Sequence, residues 1–257
     1  IRRQRQMCIR DRVYGASGKL ILSWEPEPDE IKEVPDPAKA ALDPKEVRTT
    51  EQLYLTGLHL EQYRHATYAP TDYYEEALLR DPDDVRNNNA MGLWLIRKGQ
   101  FGKAEVYLRR AVKTLTERNP NPYDGEPLYN LGLSLKYQGK TEEAYDFFYK
   151  ACWNAAWQDA GYYSLAQLSA AKGNWEDALY EIDKSLLRNW HNLRGRHLKA
   201  IILRRLGRTD EALTFIENSL SIDRFNFGCG LEKYFISGNE ADKDALIVLM
   251  RQEAHNY

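Results

Sequence analysis

A fixed period constrains this chain more than any other feature. Glycines recur at Gly99, Gly139, Gly173 and Gly207, and alanines recur in the same register at Ala104, Ala144, Ala178 and Ala212. Both series step by 40, then 34, then 34 residues. The stretch 127–151, PLYNLGLSLKYQGKTEEAYDFFYKA, shows what is repeated. Leu128, Leu131, Gly132 and Leu135 share one face of a helix, and Ala144, Phe148 and Ala151 share one face of a second, with Gly139 between them. Each helix has to bury its apolar stripe. Two short helices joined by a tight turn bury those stripes on each other and on the next pair, so the unit stacks into a one-dimensional array. Gly132 and Ala144 are small where the helices approach, and Leu131, Leu135 and Phe148 fill the space around that contact.

With a period of 34 and the order Leu-Gly, then Ala-x3-Phe, then a later Pro, this unit resembles a tetratricopeptide (TPR) repeat. The resemblance implies an all-α fold over 50–257, a right-handed α-solenoid of about five to six helix pairs turning at the four glycines. The 40-residue step is the same repeat with six residues added. They fall in RNPNPYDGEP, 118–127, whose prolines and glycine mark a loop between repeats. The pairs after the first run roughly 83–118, 125–156, 159–189 and 192–223, and a last pair turns at Gly238. In the first pair Thr50 is expected to cap one helix and Thr71 or Asp72 the next.

The rest of the chain divides by composition. Residues 1–12, IRRQRQMCIRDR, carry five arginines and one aspartate, and the remainder of the chain is correspondingly acidic within a total of −2. With no apolar core and no cleavage site the segment is not a secretory signal. It resembles a translated sequencing adapter and is set apart from the fold. Residues 13–24 read as a strand or hairpin remnant of a β-domain. Residues 25–49 hold five of the ten prolines among acidic residues and read as an extended linker. The apolar run 246–250, LIVLM, carries no polar cap, so the solenoid is expected to be truncated there. No stretch of about 18 apolar residues exists, so no membrane partner is expected. Cys152 and Cys229 stand in separate repeats with neither disulfide nor zinc-ligand spacing, which favours a cytoplasmic setting. No metal or cofactor is implied, nor is a nucleic-acid partner.

Catalytic signatures are missing: there is no phosphate-binding glycine loop, no H-E-x-x-H, no C-x-x-C and no G-x-S-x-G. Candidate binding residues follow from the TPR likeness, which implies a concave face lined by first helices that receives an extended peptide. Counted from the Leu-Gly landmarks, its residues are Arg86, Asn89, Glu126, Tyr129, Lys136, Tyr163, Gln167, His197 and Arg204. The loop supplies Asn121, Tyr123 and Asp124, either as binding residues or simply to end one helix and cap the next. Trp153, Trp157, Tyr162 and Tyr163 read as a seal between repeats, with a sugar-stacking platform as the competing reading. His65 reads as a helix-end histidine.

Longer strings carry a wider resemblance. GLHLEQYRHAT (57–67), YYEEALLRDPDDVRNNNAMG (73–92), RNPNPYDGEPLYNLG (118–132) and FFYKACWNAAWQDAGYYSLAQ (147–167) are similar to the C-terminal part of a bacterial family of unknown function. In that family a sugar-mutarotase-like β-sandwich precedes TPR repeats. The resemblance implies a carbohydrate-related parent, of which this chain would be a non-catalytic interaction scaffold for a protein segment or for the parent's own β-domain. Alternatively the chain would be an accessory domain completing the substrate cleft of a carbohydrate-active enzyme. No catalytic residue carries over.

Overall fold

A computed structural model describes residues 11–25, 39–63 and 66–252. The chain forms two compact units, 1–41 and 42–257. In the first, β1 (Asp11–Tyr14) pairs antiparallel with β2 (Leu20–Trp24), Asp11 opposite Trp24 and Val13 opposite Leu22. Gly18 sits in the connecting turn at φ 76°, and every residue of both strands is exposed. The hairpin begins at Asp11, so it takes in two residues of the arginine-rich segment set aside from the sequence. Residues 1–10 and the linker prolines Pro26, Pro28, Pro35 and Pro37 lie outside the described residues, as does His65.

In the second unit the described residues form twelve α-helices: α1 (Thr50–Gln62), α2 (Pro70–Arg80), α3 (Val85–Arg97), α4 (Phe101–Thr116), α5 (Glu126–Tyr137), α6 (Thr141–Ala151), α7 (Gln158–Ala171), α8 (Trp175–Arg188), α9 (Leu193–Arg205), α10 (Thr209–Ile222), α11 (Phe227–Ser237) and α12 (Glu240–Gln252). They pair in sequence order, and each pair packs on the next. The result is a TPR-like α-solenoid of six pairs among the described residues. No described helix is long and apolar enough to cross a membrane.

The recurring glycines explain the turns. Gly99, Gly139, Gly173 and Gly207 have φ between 71° and 82°, a left-handed backbone that side chains with a Cβ resist. At each, the next residue's N–H reaches back to a carbonyl of the finished helix: Gln100 to Leu95, Lys140 to Leu135, Asn174 to Ser169 and Arg208 to Leu203. Four identical helix stops follow. Gly238 makes a fifth left-handed turn.

The small residue of each first helix explains the pairing. A Cβ on Gly132 would come within 2.7 Å of Phe148, and one on Gly92 within 2.4 Å of Leu108. Gly57 meets Tyr74 and Gly230 meets Leu246 in the same way, while buried Ala166 and Ala200 stand in this place in the fourth and fifth pairs. Ala104, Ala144, Ala178 and Ala212, the second half of the sequence pattern, are all fully buried. A continuous apolar core runs from Leu108 and Val112 through Leu131, Leu135 and Phe148 to Leu165 and Leu168.

Three local expectations need correcting. Thr49, not Thr50, caps α1, its Oγ1 accepting from the Gln52 N–H at 3.1 Å. Neither Thr71 nor Asp72 caps α2, which starts on Pro70, whose missing N–H would have been unsatisfied there anyway. The end of the 25–49 linker is packed: Pro44–Glu46 form a 3-10 turn, Val47 is buried, and Arg80 donates to the carbonyls of Pro44, Lys45, Val47 and Arg48. A guanidinium aimed at four carbonyls holds that segment on α2.

Candidate functional site: the face of the first helices and the inter-repeat cleft

Successive first helices pack on one another, α1 on α3, α3 on α5, α7 on α9 and α9 on α11. Their shared face carries the candidate residues, and most of these side chains are engaged with the neighbouring repeat. Arg86 pairs with Glu51 and lies over the Tyr54 ring at 5.1 Å. Asn89 is nearly buried and accepts from Asn130 Nδ2 at 2.9 Å, and Asn130 Nδ2 also reaches Glu126 at 3.5 Å. Tyr129 stacks on Trp157 with centroids 4.9 Å apart and tilts against Phe148. Lys136 Nζ donates to Gln167 Oε1 at 2.5 Å. Arg204 Nε donates to buried Glu232 at 2.5 Å and lies over Phe235. The His197 ring fills the space that a Cβ on Gly228 would need.

Burial sets the protonation chemistry of this face. It pushes the Tyr129 and Tyr163 hydroxyls up, the latter opposed by Arg194 and by a hydrogen bond with Gln167. It pushes Lys136 down, and also His197, which Glu232 pulls the other way. The Tyr54 hydroxyl is raised by burial and by the carboxylates of Glu126, Asp124 and Asp84. None of this assembles a nucleophile with a base; the arrangement holds hydrogen-bonding groups and rings in fixed positions. The two halves of the face differ. Glu51, Glu61, Arg86 and Arg97 pair across repeats in the first. In the second, α9 carries Arg194, Arg196, Lys199, Arg204 and Arg205 with no carboxylate, and Arg194 is exposed with no carboxylate partner among the described residues.

The six-residue insertion builds a separate feature. Connection 117–125 lies against connection 152–157, where Ala155–Trp157 form a 3-10 turn that the sequence reading missed. Asn154 Nδ2 donates to the Tyr123 carbonyl, Asp124 Oδ1 accepts from the Glu126 N–H at 2.9 Å, and Asn119 Oδ1 accepts from the Asn121 N–H at 3.0 Å. A Cβ on Gly125 would strike Trp157, which is why the chain needs glycine there. Between the connections lies a cleft of about 580 Å³ lined by Pro122, Tyr123, Asp124 and residues 153–157. Tyr123 is 96% and Trp153 60% exposed. Trp157 and Tyr162 join the core and Tyr163 packs on the next cluster, as a seal between repeats requires, but Trp153 does not.

Of the predicted residues the structure brings together Asn89 with Glu126 through Asn130, and Lys136 with Gln167 and Tyr163. Tyr123 and Asp124 share the cleft, while Arg204 and His197 belong to the contact between α9 and α11. Glu51, Tyr54, Asn130 and Glu232 were missed. Glu51 lies 35 residues from its partner, so pairing at the repeat period finds it, but Asn130 at 41 and Glu232 at 28 fall outside such a rule.

The tetratricopeptide repeat model matches residues 125–152 and 193–226. Among solved structures, pilF of Pseudomonas aeruginosa superposes with a TM-score of 0.65 at 20% identity, covering 81% of this chain and 91% of that one. A tetratricopeptide repeat protein from Parabacteroides merdae gives 0.63 at 18% identity, covering 79% of each chain. YrrB, described as a TPR protein with an unusual peptide-binding site, gives 0.54 at 14% identity over 69% of this chain and 89% of that one. The chain carries tetratricopeptide repeats, and its fold is the one these structures share.

Proposed function

We propose that this chain is a non-catalytic TPR-type scaffold that holds an extended protein segment along the face of its first helices. The observation that carries the reading is the row of ordered hydrogen-bonding and aromatic groups on that face, whose second half leaves Arg194 exposed and Phe235 53% exposed. An exposed ring beside a fixed guanidinium is the kind of surface on which a few residues supply most of the binding energy. The peptide-binding site described for YrrB belongs to that protein and supports the reading by likeness of fold. Two buried, unpaired thiols, Cys152 pushed up to about 12 and Cys229 to about 11 by burial, suit a cytoplasmic setting. The test is selection from a random peptide library on the whole chain. Enriched peptides should lose most of their affinity for Phe235→Ala and Arg194→Ala. Equal binding to those variants, or no enrichment, overturns the reading.

A second reading makes the chain an accessory domain of a bacterial carbohydrate-active protein, with 118–127 completing a substrate cleft. The fixed loop and the exposed Trp153 beside it favour this reading. Affinity electrophoresis in gels containing neutral glycans tests it, since retardation by a glycan should vanish in Trp153→Ala.

A further inference from the structure

We propose that the cleft between residues 122–124 and 153–157 is a binding site of its own, taking a basic side chain, arginine or lysine, from a partner protein.

Charge is the first ground. Asp124 is the only charged residue lining the cleft, and no cation pairs with it among the described residues. The other walls are the rings of Tyr123, Trp153 and Trp157 with the ring of Pro122. Aromatic faces carry negative charge density and attract a guanidinium or ammonium held over them. An anion would meet a carboxylate and π-faces, and would be repelled by both.

Hydrogen-bond accounting is the second ground, and here the proposal departs from the carbohydrate reading. A sugar needs several directional partners for its hydroxyls, but the Asn154 amide and one Asp124 oxygen are already engaged. Asn154 donates through Nδ2 to the Tyr123 carbonyl and accepts through Oδ1 from the Ala156 N–H at 2.9 Å. Asp124 spends Oδ1 on the Glu126 N–H. What remains is one carboxylate oxygen with its charge, the Tyr123 hydroxyl, the indole N–H groups and a large area of ring surface, in which the only charged group is the carboxylate. That set matches a long aliphatic stem ending in a cation.

Pre-organisation is the third. Both connections are pinned before any ligand arrives, one by Asn154 and Asp124 and the other by the stacking of Trp157 on Tyr129. The cost of ordering the backbone of both walls and the Trp157 ring is therefore met on folding. The cleft is built from connections between repeats and not from the first-helix face, so the proposal does not depend on the groove reading.

The test uses the whole chain and two peptides, acetyl-Gly-Gly-Arg-Gly-Gly-amide and its counterpart with citrulline, which keeps the shape of arginine without the charge. Titration followed by tryptophan fluorescence and by calorimetry should show the arginine peptide bound about tenfold more tightly. Trp153→Ala and Asp124→Asn should each remove that preference, whereas Arg194→Ala on the first-helix face should leave it. Asparagine keeps an acceptor for the Glu126 N–H, so Asp124→Asn should hold the loop, and unchanged thermal unfolding would show that it does. Equal binding of the two peptides, or binding of neither, overturns the proposal. So does binding of choline or of a neutral oligosaccharide displaced by Trp153→Ala while the arginine peptide stays silent.

Discussion

Two junctions in this solenoid occupy the same structural position and use aromatic residues in opposite ways. Between α4 and α5, connection 117–125 leans on 152–157, the connection from α6 to α7, where Trp153 is left 60% exposed with an edge contact to Tyr149 at 6.5 Å. Between α8 and α9, connection 189–192 brings Trp190, 50% exposed, over Arg196 at 4.5 Å. Arg196 is fully buried, stacked on its other side by Phe215, and donates to Ser219 Oγ, Asn218 Oδ1 and the Trp190 carbonyl. The two tryptophans show similar solvent exposure. What distinguishes them is the covered side: Trp190 lies on a buried cation, while Trp153 joins no core cluster among the described residues. Exposure alone would have put both in one class.

Breaking the closed junction should cost most. Arg196→Ala removes a buried stem and leaves Ser219 and Asn218 short of a partner, so it should destabilise by about 3–5 kcal/mol in urea unfolding. A loss below about 1 kcal/mol would mean that the guanidinium is not what joins α9 to α10. Trp190→Ala should follow at about 1–2 kcal/mol, because it opens one face of the same cation to water.

Acid should separate the junctions. On the far side of the open one, Glu105 receives hydrogen bonds from Lys140, Arg109 and Gln138, which outweigh the burial that raises its pKa and hold it at about 2. A carboxylate depressed in the folded state stabilises above its unfolded value and loses that contribution as pH falls towards its folded one. The hydrogen-exchange protection factors of α4 and α5, which correct for the intrinsic pH dependence of exchange, should therefore fall between about pH 4.5 and 2 and stay level in Glu105→Gln, while α9 and α10, joined by an arginine that stays charged, should not share the transition. Asn154→Ala should cost about 1 kcal/mol and make 118–125 the first site cut in limited proteolysis. The smallest effect belongs to Trp153→Ala, within about 0.5 kcal/mol of the parent. A larger loss would show that Trp153 supports the fold and would erase the contrast with Trp190.

Where a rule of spacing decides the structure, the amino-acid order is enough to read it. Gly99, Gly139, Gly173 and Gly207 mark turns because left-handed backbone favours glycine, and Ala144 marks a crossing because nothing larger fits. The site was less legible. Lys136 and Gln167 were both named as separate outward residues, but they bond each other, which only the superposition of one repeat on the next reveals. The loop rests on 152–157 because a single side chain, Asn154, reaches its backbone, a contact that no spacing in the sequence marks. Trp153 and Trp157 stand four residues apart in one string, and only the 3-10 turn between them sends one inward and the other out.

The bonds between neighbouring pairs recur at nearly constant offset: Arg86 to Glu51 and Lys140 to Glu105 at 35 residues, Arg109 to Glu143 at 34, Gln138 to Glu105 at 33. A molecule wired this way can change copy number. Duplicating or excising a whole period preserves the stacking of one helix pair on the next at the new seam, while side-chain bonds particular to one repeat are not carried over. The dovetail of Asn154 with the Tyr123 carbonyl is one such bond, since it joins one irregular connection to another. A breakpoint within 117–157 would sever that bond, which makes the segment a fixed landmark in the array.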